Sequence, residues 1–191
     1  MQKPSAYSIH GVEAQDFDQF LVYLNDHLSE NGEDGVTYFQ PRSRKESRLP
    51  SERAAAFRAA LDVTVGQVGW RRLWVARDSN GQIVGHIDLR AHAEPYAGHR
   101  CVLGMGVHRD HRKIGLGRIL TEHAEGWIKS NAQFEWIDHE VLSSNTKAVR
   151  LYERIGFQKT GETVDMFRID GQSFSSTTMA KHVRKVSASD A

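Results

Sequence analysis

The spacing of hydrophobic positions changes several times along the chain, and each change predicts a boundary between elements. Short apolar runs are typical of strands, whereas apolar residues at every third or fourth position are typical of helices. The runs predict strands over residues 70–77, 82–90, 101–107, 134–142, 157–169 and 172–183. The helical spacing predicts helices over residues 114–130 and 145–155.

The first third of the chain is predicted to contain one strand, over residues 6–12, and two helices. An apolar stripe predicts the first helix over residues 13–30. Ser51 is a suitable N-cap for the second helix, over residues 51–66. Between them, residues 32–49 mix glycine, proline, serine and charged residues, and a connection of this length is usually functional or mobile.

The order of these elements predicts an α/β fold, with a mixed, mostly antiparallel central sheet and helices on both faces. A length of 191 residues suits one domain, 1–191. The net charge of +1 gives no electrostatic case for binding nucleic acid or an anionic membrane. The single cysteine, Cys101, lies in an apolar strand and is predicted to be a buried thiol. Since the N-terminus lacks the apolar core of a signal peptide, we expect a cytoplasmic protein.

Residues 101–117, CVLGMGVHRDHRKIGLG, are predicted to form a strand, a glycine-rich turn and the start of a helix. The first turn of a helix has unpaired N–H groups and a partial positive charge, and glycines let a bulky anion approach that backbone. The turn therefore predicts a phosphate or pyrophosphate site. It lacks the GxxxxGK[ST] pattern of a P-loop, and it lies too late in the chain for a dinucleotide fingerprint.

Residues 145–157 form the second distinctive stretch. Asn145 is a suitable N-cap, and Tyr152 lies on the same side of the predicted helix as Ala148 and Ile155. By itself this pattern indicates a capped amphipathic helix with a core tyrosine.

The two stretches together resemble the two signatures of the GNAT superfamily of N-acetyltransferases. The first is the Arg-x-x-Gly-x-Gly of residues 112–117, and the second is the Asn-x-x-Ala-x-x-Leu-Tyr-Glu-Arg-x-Gly-Phe of residues 145–157. The resemblance covers residues 70–183, and the first third matches only in its order of a strand and two helices. Arg109 departs from the pattern, because the family commonly has proline there, and we expect it to change local stiffness and charge rather than abolish binding.

The resemblance implies how acyl-CoA would bind. In the family, the strand before the pyrophosphate loop is bulged and diverges from the next strand, and acyl-CoA lies in the gap. Backbone groups of Met105, Gly106 and Val107 would hold the thioester carbonyl and the pantetheine amides. Asn145 would contact the pantetheine arm. Backbone N–H groups would bind the pyrophosphate, and these belong to Arg112, Lys113, Ile114, Gly115, Leu116 and Gly117.

The resemblance also implies catalytic roles. Tyr152 matches a tyrosine that in many members is the general acid for the departing CoA thiolate, with packing as the alternative role. The attacking amine must be neutral, and an amine with a pKa near 10.4 needs a base to take its proton. The candidate bases on neighbouring strands are Asp138, His139, Glu140, His86 and Asp88. Glu140 is preferred, because a base acting through water can be remote.

The loop 32–49 is expected to border the acceptor site, because long loops on a rigid scaffold often carry specificity. Glu33 and Asp34 could attract a cationic amine, and Tyr38 or Phe39 could cover its apolar part. A basic run could hold an anionic acceptor or the CoA 3′-phosphate, or be simply solvated, and it comprises Arg42, Arg44, Lys45 and Arg48. The histidines show no HExxH pair or Cys/His cluster, so no metal is predicted.

The resemblance thus implies an N-acetyltransferase that moves an acetyl group from acetyl-CoA to a primary amine by direct attack. The acceptor, a small molecule or a protein, is not specified by the sequence. Two alternatives stay open: a non-catalytic acyl-CoA-binding or sensing module, and a nucleotide-phosphate binder whose turn only mimics the CoA loop. The oligomeric state is also open, with a homodimer as one option.

Overall fold

A computed structural model describes residues 7–131 and 133–183, which form seven strands and four helices. The strands are β1 Ser8–Gly11, β2 Arg71–Arg77, β3 Ile83–Ala91, β4 Arg100–Val107, β5 Trp136–Leu142, β6 Gln158–Ile169 and β7 Gln172–His182. The helices are α1 Phe17–Ser29, α2 Ser51–Asp62, α3 Leu116–Ser130 and α4 Thr146–Arg154. None of these helices is both long enough and apolar enough to cross a membrane. The predicted start of the first strand at Ala6 lies outside the described residues, as does a predicted frayed tail over 185–191.

All seven strands belong to one sheet, in the order β1-β2-β3-β4-β5-β7-β6. The β4–β5 pair is parallel, and every other neighbouring pair is antiparallel. The sequence prediction of a mixed, mostly antiparallel sheet is therefore confirmed.

Helices cover both faces of the sheet, as successive residues of β2 show. Leu73 and Val75 pack with α1 and α2 in one apolar cluster, whereas Trp74 and Ala76 pack with α3 in another. Since successive side chains of a strand point to opposite faces, α1 and α2 lie on one face and α3 on the other. Fully burying a large apolar side chain stabilises a fold by about 1.5–3 kcal/mol, so these two clusters hold the sheet between two layers of helices.

Helix α2 is shorter than predicted, because a side chain from β2 terminates it. The helix ends at Asp62, and the Arg72 guanidinium donates hydrogen bonds to the carbonyls of Leu61 and Val63 at 2.9 and 3.0 Å. These bonds satisfy carbonyls that a longer helix would use itself. The prediction for Ser51 was also wrong: it is the first helical residue, after Pro50, and its side chain makes no capping bond.

The loop after α1 is held by Asn31, which is 1% exposed. Its Oδ1 accepts from the N–H groups of Phe39 and Gln40, both at 2.9 Å. Its Nδ2 donates to the carbonyls of Gln40 and Arg42, both at 3.1 Å. One buried amide side chain thus fixes the backbone of residues 39–42, which would otherwise have no ladder or helix to bond to.

We predict that Asn31→Ala lowers the free energy of unfolding by about 2–4 kcal/mol, because each buried polar group left without a partner costs about 1–3 kcal/mol. Urea unfolding followed by circular dichroism measures the change. Asn80→Ala, in an exposed hairpin turn, is the control, and we expect it to change stability by less than about 0.5 kcal/mol. Equal losses in the two variants would show that Asn31 does not anchor the loop.

Candidate active site

The strands β4 and β5 pair over only part of their length. The pairs are Arg100 with Trp136, Cys101 with Ile137 and Val102 with Asp138, after which β4 runs on to Val107 without a partner on this side. Backbone N–H and C=O groups there face a gap rather than a ladder. Because buried backbone groups need partners, this edge is suited to an extended ligand.

The divergence of β4 and β5 agrees with the sequence expectation, but the expected bulge does not. The β3–β4 register is continuous from Gly85 opposite Val107 to Ala91 opposite Cys101. The strands therefore separate by splaying, without an inserted residue in β4.

His139 bridges the two strands where their ladder ends. Its Nδ1–H donates to the carbonyl of Leu103 at 3.0 Å, and its ring lies 4.2 Å from the ring of Tyr152. Burial lowers the pKa of His139 to about 4. The side chain is therefore neutral at physiological pH, and the bond to Leu103 fixes the proton on Nδ1 and leaves Nε2 as an acceptor.

The glycines of β4 make room for side chains from β3 and α1. A Cβ atom at Gly104 would lie 2.2 Å from Asp88 Oδ2, and one at Gly106 would lie 2.5 Å from His86 Cε1 and 2.7 Å from His27 Nε2. Gly104 and Gly106 therefore allow the close approach of these side chains to β4.

A hydrogen-bonded chain behind Gly106 orders these polar groups. Tyr23 donates to the Gly106 carbonyl at 3.2 Å and lies 3.3 Å from His86 Nδ1. Because the Tyr23 proton is used, its oxygen accepts from His86 Nδ1–H. Burial lowers the pKa of His86 to about 4 and that of His27 to about 3. His27 Nδ1 is the only shielded side-chain nitrogen or oxygen without a partner among the described residues.

The turn between β4 and α3 presents free backbone donors. Lys113 and Gly115 have left-handed backbone conformations, with φ of 66° and 91°, and such turns form concave sites for anions. The N–H groups of residues 113–117 have no acceptor among the described residues. Donors that converge without a protein partner are the feature expected of a phosphate site.

The arginines of this turn have structural partners. Arg112 donates to the Val107 carbonyl at 3.0 Å and pairs with Glu30 at 3.0 Å. Arg109, at the position where the resemblance implied proline, pairs with Glu30 at 3.1 Å and with Asp26 at 3.3 Å. These bonds tie the turn to the end of α1. The backbone N–H of Arg112 is itself bonded to the Arg109 carbonyl at 3.5 Å, so the expected free N–H begins at Lys113 and not at Arg112.

Helix α4 lies on the other side of the gap. The Asn145 side chain caps it by accepting from Ala148 N–H at 3.3 Å, which confirms the predicted N-cap. Tyr152 is 3% exposed, and its ring packs edge-on against Phe157. Its hydroxyl forms no hydrogen bond with a described residue and is not buried away from solvent. Because Tyr152 lines the cleft, the hydroxyl opens on it.

The candidate carboxylate bases differ in whether an arginine pairs with them. Arg100 holds Asp138 through two bonds, at 2.7 and 2.5 Å. Arg71 and Arg90 each pair with the same oxygen of Asp88, Oδ1, at 3.0 and 3.3 Å. Glu140 is exposed and has no ion pair with a described residue.

Strand alternation settles which way Glu140 faces. His139 packs on Tyr152 of α4, whereas Leu142, two residues beyond Glu140, packs with Tyr38 of the loop after α1. Glu140 therefore faces the loop and α1, the face on which His86 and Asp88 also lie.

One cleft of about 610 Å³ joins Met105 of β4, Tyr152 of α4 and the loop after α1, and its described lining does not include the turn of residues 113–117. Its walls include Phe39, Gln40 and Arg42 of the loop, so part of the loop borders the cleft. Tyr38, by contrast, packs on Phe174 and donates to Asp170 at 2.6 Å.

Two other residues named from the sequence lie away from the expected position. Glu33 is paired with Arg44 at 3.6 Å, and neither Glu33 nor Asp34 is among the described cleft residues. Cys101 is buried, and burial raises the pKa of its thiol to about 12, which agrees with an unreactive role. No group of three or more potential metal ligands occurs among residues 7–131 and 133–183.

Comparisons with known proteins point to one family. Residues 69–159 match the family described as acetyltransferase (GNAT) domain. The chain is 32% identical over 101 residues to the Arabidopsis thaliana N-terminal acetyltransferase A complex catalytic subunit NAA10. The matched segment covers 52% of this chain and 52% of that protein. Residues 69–159, just under half of the chain, are thus similar to a GNAT acetyltransferase domain. The chain spans about half the length of this curated relative.

Solved structures of acetyltransferases share the fold of this chain. A GNAT-family acetyltransferase from Streptococcus pneumoniae is 22% identical, with a TM-score of 0.75 over 92% of this chain and 99% of that one. The yncA protein of Salmonella typhimurium, solved with its cofactor acetyl-CoA, is 17% identical, with a TM-score of 0.74 over 98% and 99%. At these identities the likeness establishes the fold alone.

The residues predicted to bind the cofactor lie around the gap between β4 and β5, and their roles remain predictions. Tyr23 and His27 were not predicted as site residues, because neither belongs to the apolar stripe from which the first helix was predicted. Their link to Gly106 depends on residues far apart in the chain.

The buried neutral histidines generate a pH prediction. Because the folded-state pKa of His86 is depressed to about 4, its neutral form stabilises the protein above the unfolded-state pKa of about 6.5, and this contribution is lost as the pH falls from there through about 4. His86→Gln should reduce the fall in unfolding free energy over this range, by up to about 1.4 kcal/mol per pH unit. Urea titrations from pH 7.5 to 4.5 measure it, with the exposed His99→Gln as control. An unchanged slope in His86→Gln would contradict a neutral buried His86.

Proposed function

We propose that this protein transfers an acetyl group from acetyl-CoA to a primary amine by direct attack. The observation that carries the proposal is the unpaired edge of β4 running into a turn with five free backbone N–H groups, from Lys113 to Gly117. A ligand that fits both must have an amide-bearing arm and a phosphate end. Acetyl-CoA has both, and a mononucleotide has only the second.

The cofactor is held mainly by backbone. The backbone of Met105 and the N–H of Val107 bond the thioester carbonyl and the pantetheine amides, while the N–H groups from Lys113 through Ile114 and Leu116 to Gly117 receive the pyrophosphate. The carbonyls of Gly106 and Val107 are already bonded by Tyr23 and Arg112. Asn145, beside the gap, contacts the pantetheine arm. The Gly117 position also keeps α3 close to α4, since a Cβ there would lie 3.1 Å from Leu151 Cδ2.

The reaction requires the acceptor to lose a proton and the CoA thiolate to gain one. Glu140 takes the proton from the ammonium group, directly or through a water, and it suits this role because no described cation engages it. The neutral amine attacks the thioester carbonyl and the C–S bond breaks. The nitrogen then releases its second proton, which neutralises the CoA thiolate, while Tyr152 donates a hydrogen bond to the departing sulfur.

Burial raises the pKa of Tyr152 above its ordinary value, which keeps the hydroxyl protonated at every physiological pH. A raised pKa also weakens the phenol as an acid. We therefore assign Tyr152 mainly a stabilising hydrogen bond to the developing thiolate, at the lower end of the range for general acid catalysis.

The phosphate turn can be tested with a single charge. Ile114 is 55% exposed in the turn, so Ile114→Glu adds a negative charge there without disturbing the core, and Ile114→Gln is the matched neutral control. We predict that Ile114→Glu weakens acetyl-CoA binding about tenfold at low salt, because like charges a few ångströms apart repel by about 1 kcal/mol or more. Isothermal titration calorimetry measures the affinity. Equal affinities in the two variants, or tight binding of ADP with no gain from pantetheine, would overturn the assignment.

The role of Tyr152 is tested by removing only its hydroxyl. We predict that Tyr152→Phe lowers kcat about 100-fold, the lower end for general acid catalysis, and leaves acetyl-CoA affinity nearly unchanged. Steady-state kinetics follow a screen of amines by acetyl-CoA consumption and mass spectrometry of the products. The exposed Tyr96→Phe is the control, since Tyr96 is 99% exposed. Full kcat in Tyr152→Phe with chemistry rate-limiting would leave Tyr152 as a packing residue, and acetyl-CoA binding with no acceptor turned over would favour a sensing module.

A further inference from the structure

The acceptor side of the cleft carries an excess of positive charge. Its described lining contains two carboxylates and four guanidinium groups. The carboxylates are those of Asp88 and Glu140. The guanidinium groups are those of Arg42, Arg53, Arg71 and Arg90.

Two of these arginines share one carboxylate. Asp88 lies between Arg71 and Arg90, at 3.0 and 3.3 Å, so it can neutralise only one of them. The Arg71 guanidinium also lies 3.8 Å from the centre of the Phe57 ring, which holds it in place over an apolar surface.

The other two arginines have no carboxylate partner among the described residues. Arg42 donates to the Arg48 carbonyl at 3.1 Å, and Arg53 extends from α2. Burial is the main cause that lowers the pKa of Arg42 and the charge of Arg53 is the next, while the charge of Glu46 opposes them without forming an ion pair with either arginine. Two like charges are therefore near each other at the mouth of the cleft, where an anion would relieve their repulsion.

The histidines on this side do not alter the balance. His27 and His86 face the cleft from α1 and β3, and burial keeps both neutral near pH 7. They add polar contacts without charge. The remaining wall is apolar, with Leu24, Phe39 and Phe57.

Resting on the proposed function, we infer that the acceptor is a small amine that also carries an anionic group close to the amine, as an amino acid does. The arginines bind its carboxylate, and the neutral polar groups beside Gly106 and Glu140 receive its amine. A polyamine, which has only positive charges, would meet an unfavourable field in this cleft.

The experiment compares matched acceptors and matched arginines. Acetyl-CoA consumption is measured with a panel of α-amino acids, the α-carboxamide of each, and spermidine. We expect kcat/KM for the best acid to exceed that for its amide and for spermidine by about tenfold or more, since a hydrogen bond to a charged group commonly contributes that factor. Arg53→Gln should raise the KM for the acid about tenfold without changing the KM for acetyl-CoA, and Arg53→Lys should recover part of the loss.

Arg58→Gln is the control, because Arg58 lies on the same helix but pairs with Asp18 outside the cleft. Equal kcat/KM values for the acids and for their amides or spermidine would overturn the inference while leaving acetyl transfer intact. An unchanged KM for the acid in Arg53→Gln would do the same. If no amine is acetylated, calorimetry measures whether the amino acids bind to the CoA-bound protein. Binding that weakens in Arg53→Gln supports the anion site and refutes the transfer reaction, and no binding refutes the site.

Discussion

The loss of pairing between β4 and β5 is the constraint on which the site depends. A parallel pair normally bonds along its whole length, and leaving backbone groups without partners in a protein interior is costly. In this fold the cost is limited by His139, whose side chain bonds the Leu103 carbonyl at the first position beyond the ladder. Tyr23 and Arg112 bond the carbonyls of Gly106 and Val107, which leaves the backbone of Met105 and the N–H of Val107 available. The strand is fixed on its other side by a regular ladder with β3. The edge is thus both free and rigid, which pre-organises it for a ligand.

The charges around this edge are separated in space. Close to β4 the titratable groups are neutral histidines and tyrosines, the arginine-paired carboxylates of Asp88 and Asp138, and Glu140, which has no ion pair with a described residue. The unmatched guanidinium groups lie towards α2 and the loop after α1. Such an arrangement places a weakly charged environment at the reacting atoms and a positive field at the entrance. A field at the entrance acts on approach and orientation, whereas neutral groups inside avoid the cost of burying unpaired charge.

The sequence was sufficient for most of the fold because its signals were local. Strand and helix periods, the glycine-rich turn and the Asn145 cap all lie within short windows. The end of α2 could not be predicted in this way, since the Arg72 side chain that terminates it comes from the next strand. The roles of Asn31 and Tyr23 were hidden for the same reason, because their partners are separated from them by a loop or by several elements. For the loop after α1, the sequence suggested attraction of a cation by Glu33 and Asp34, but Glu33 is paired with Arg44, and arginines line the wall instead.

The turn between β6 and β7 bears on the order in which the protein assembles. Asp170 accepts bonds from Tyr38, Ser43 and the N–H of Arg44, all more than a hundred positions earlier in the chain. During synthesis these bonds can form only after the last hairpin has left the ribosome. The Asn31 bonds can form as soon as residue 42 has left it. Contacts of such long sequence separation are slow to form, because a large loop must close first. The loop after α1 is therefore anchored early by Asn31 and anchored last by Asp170.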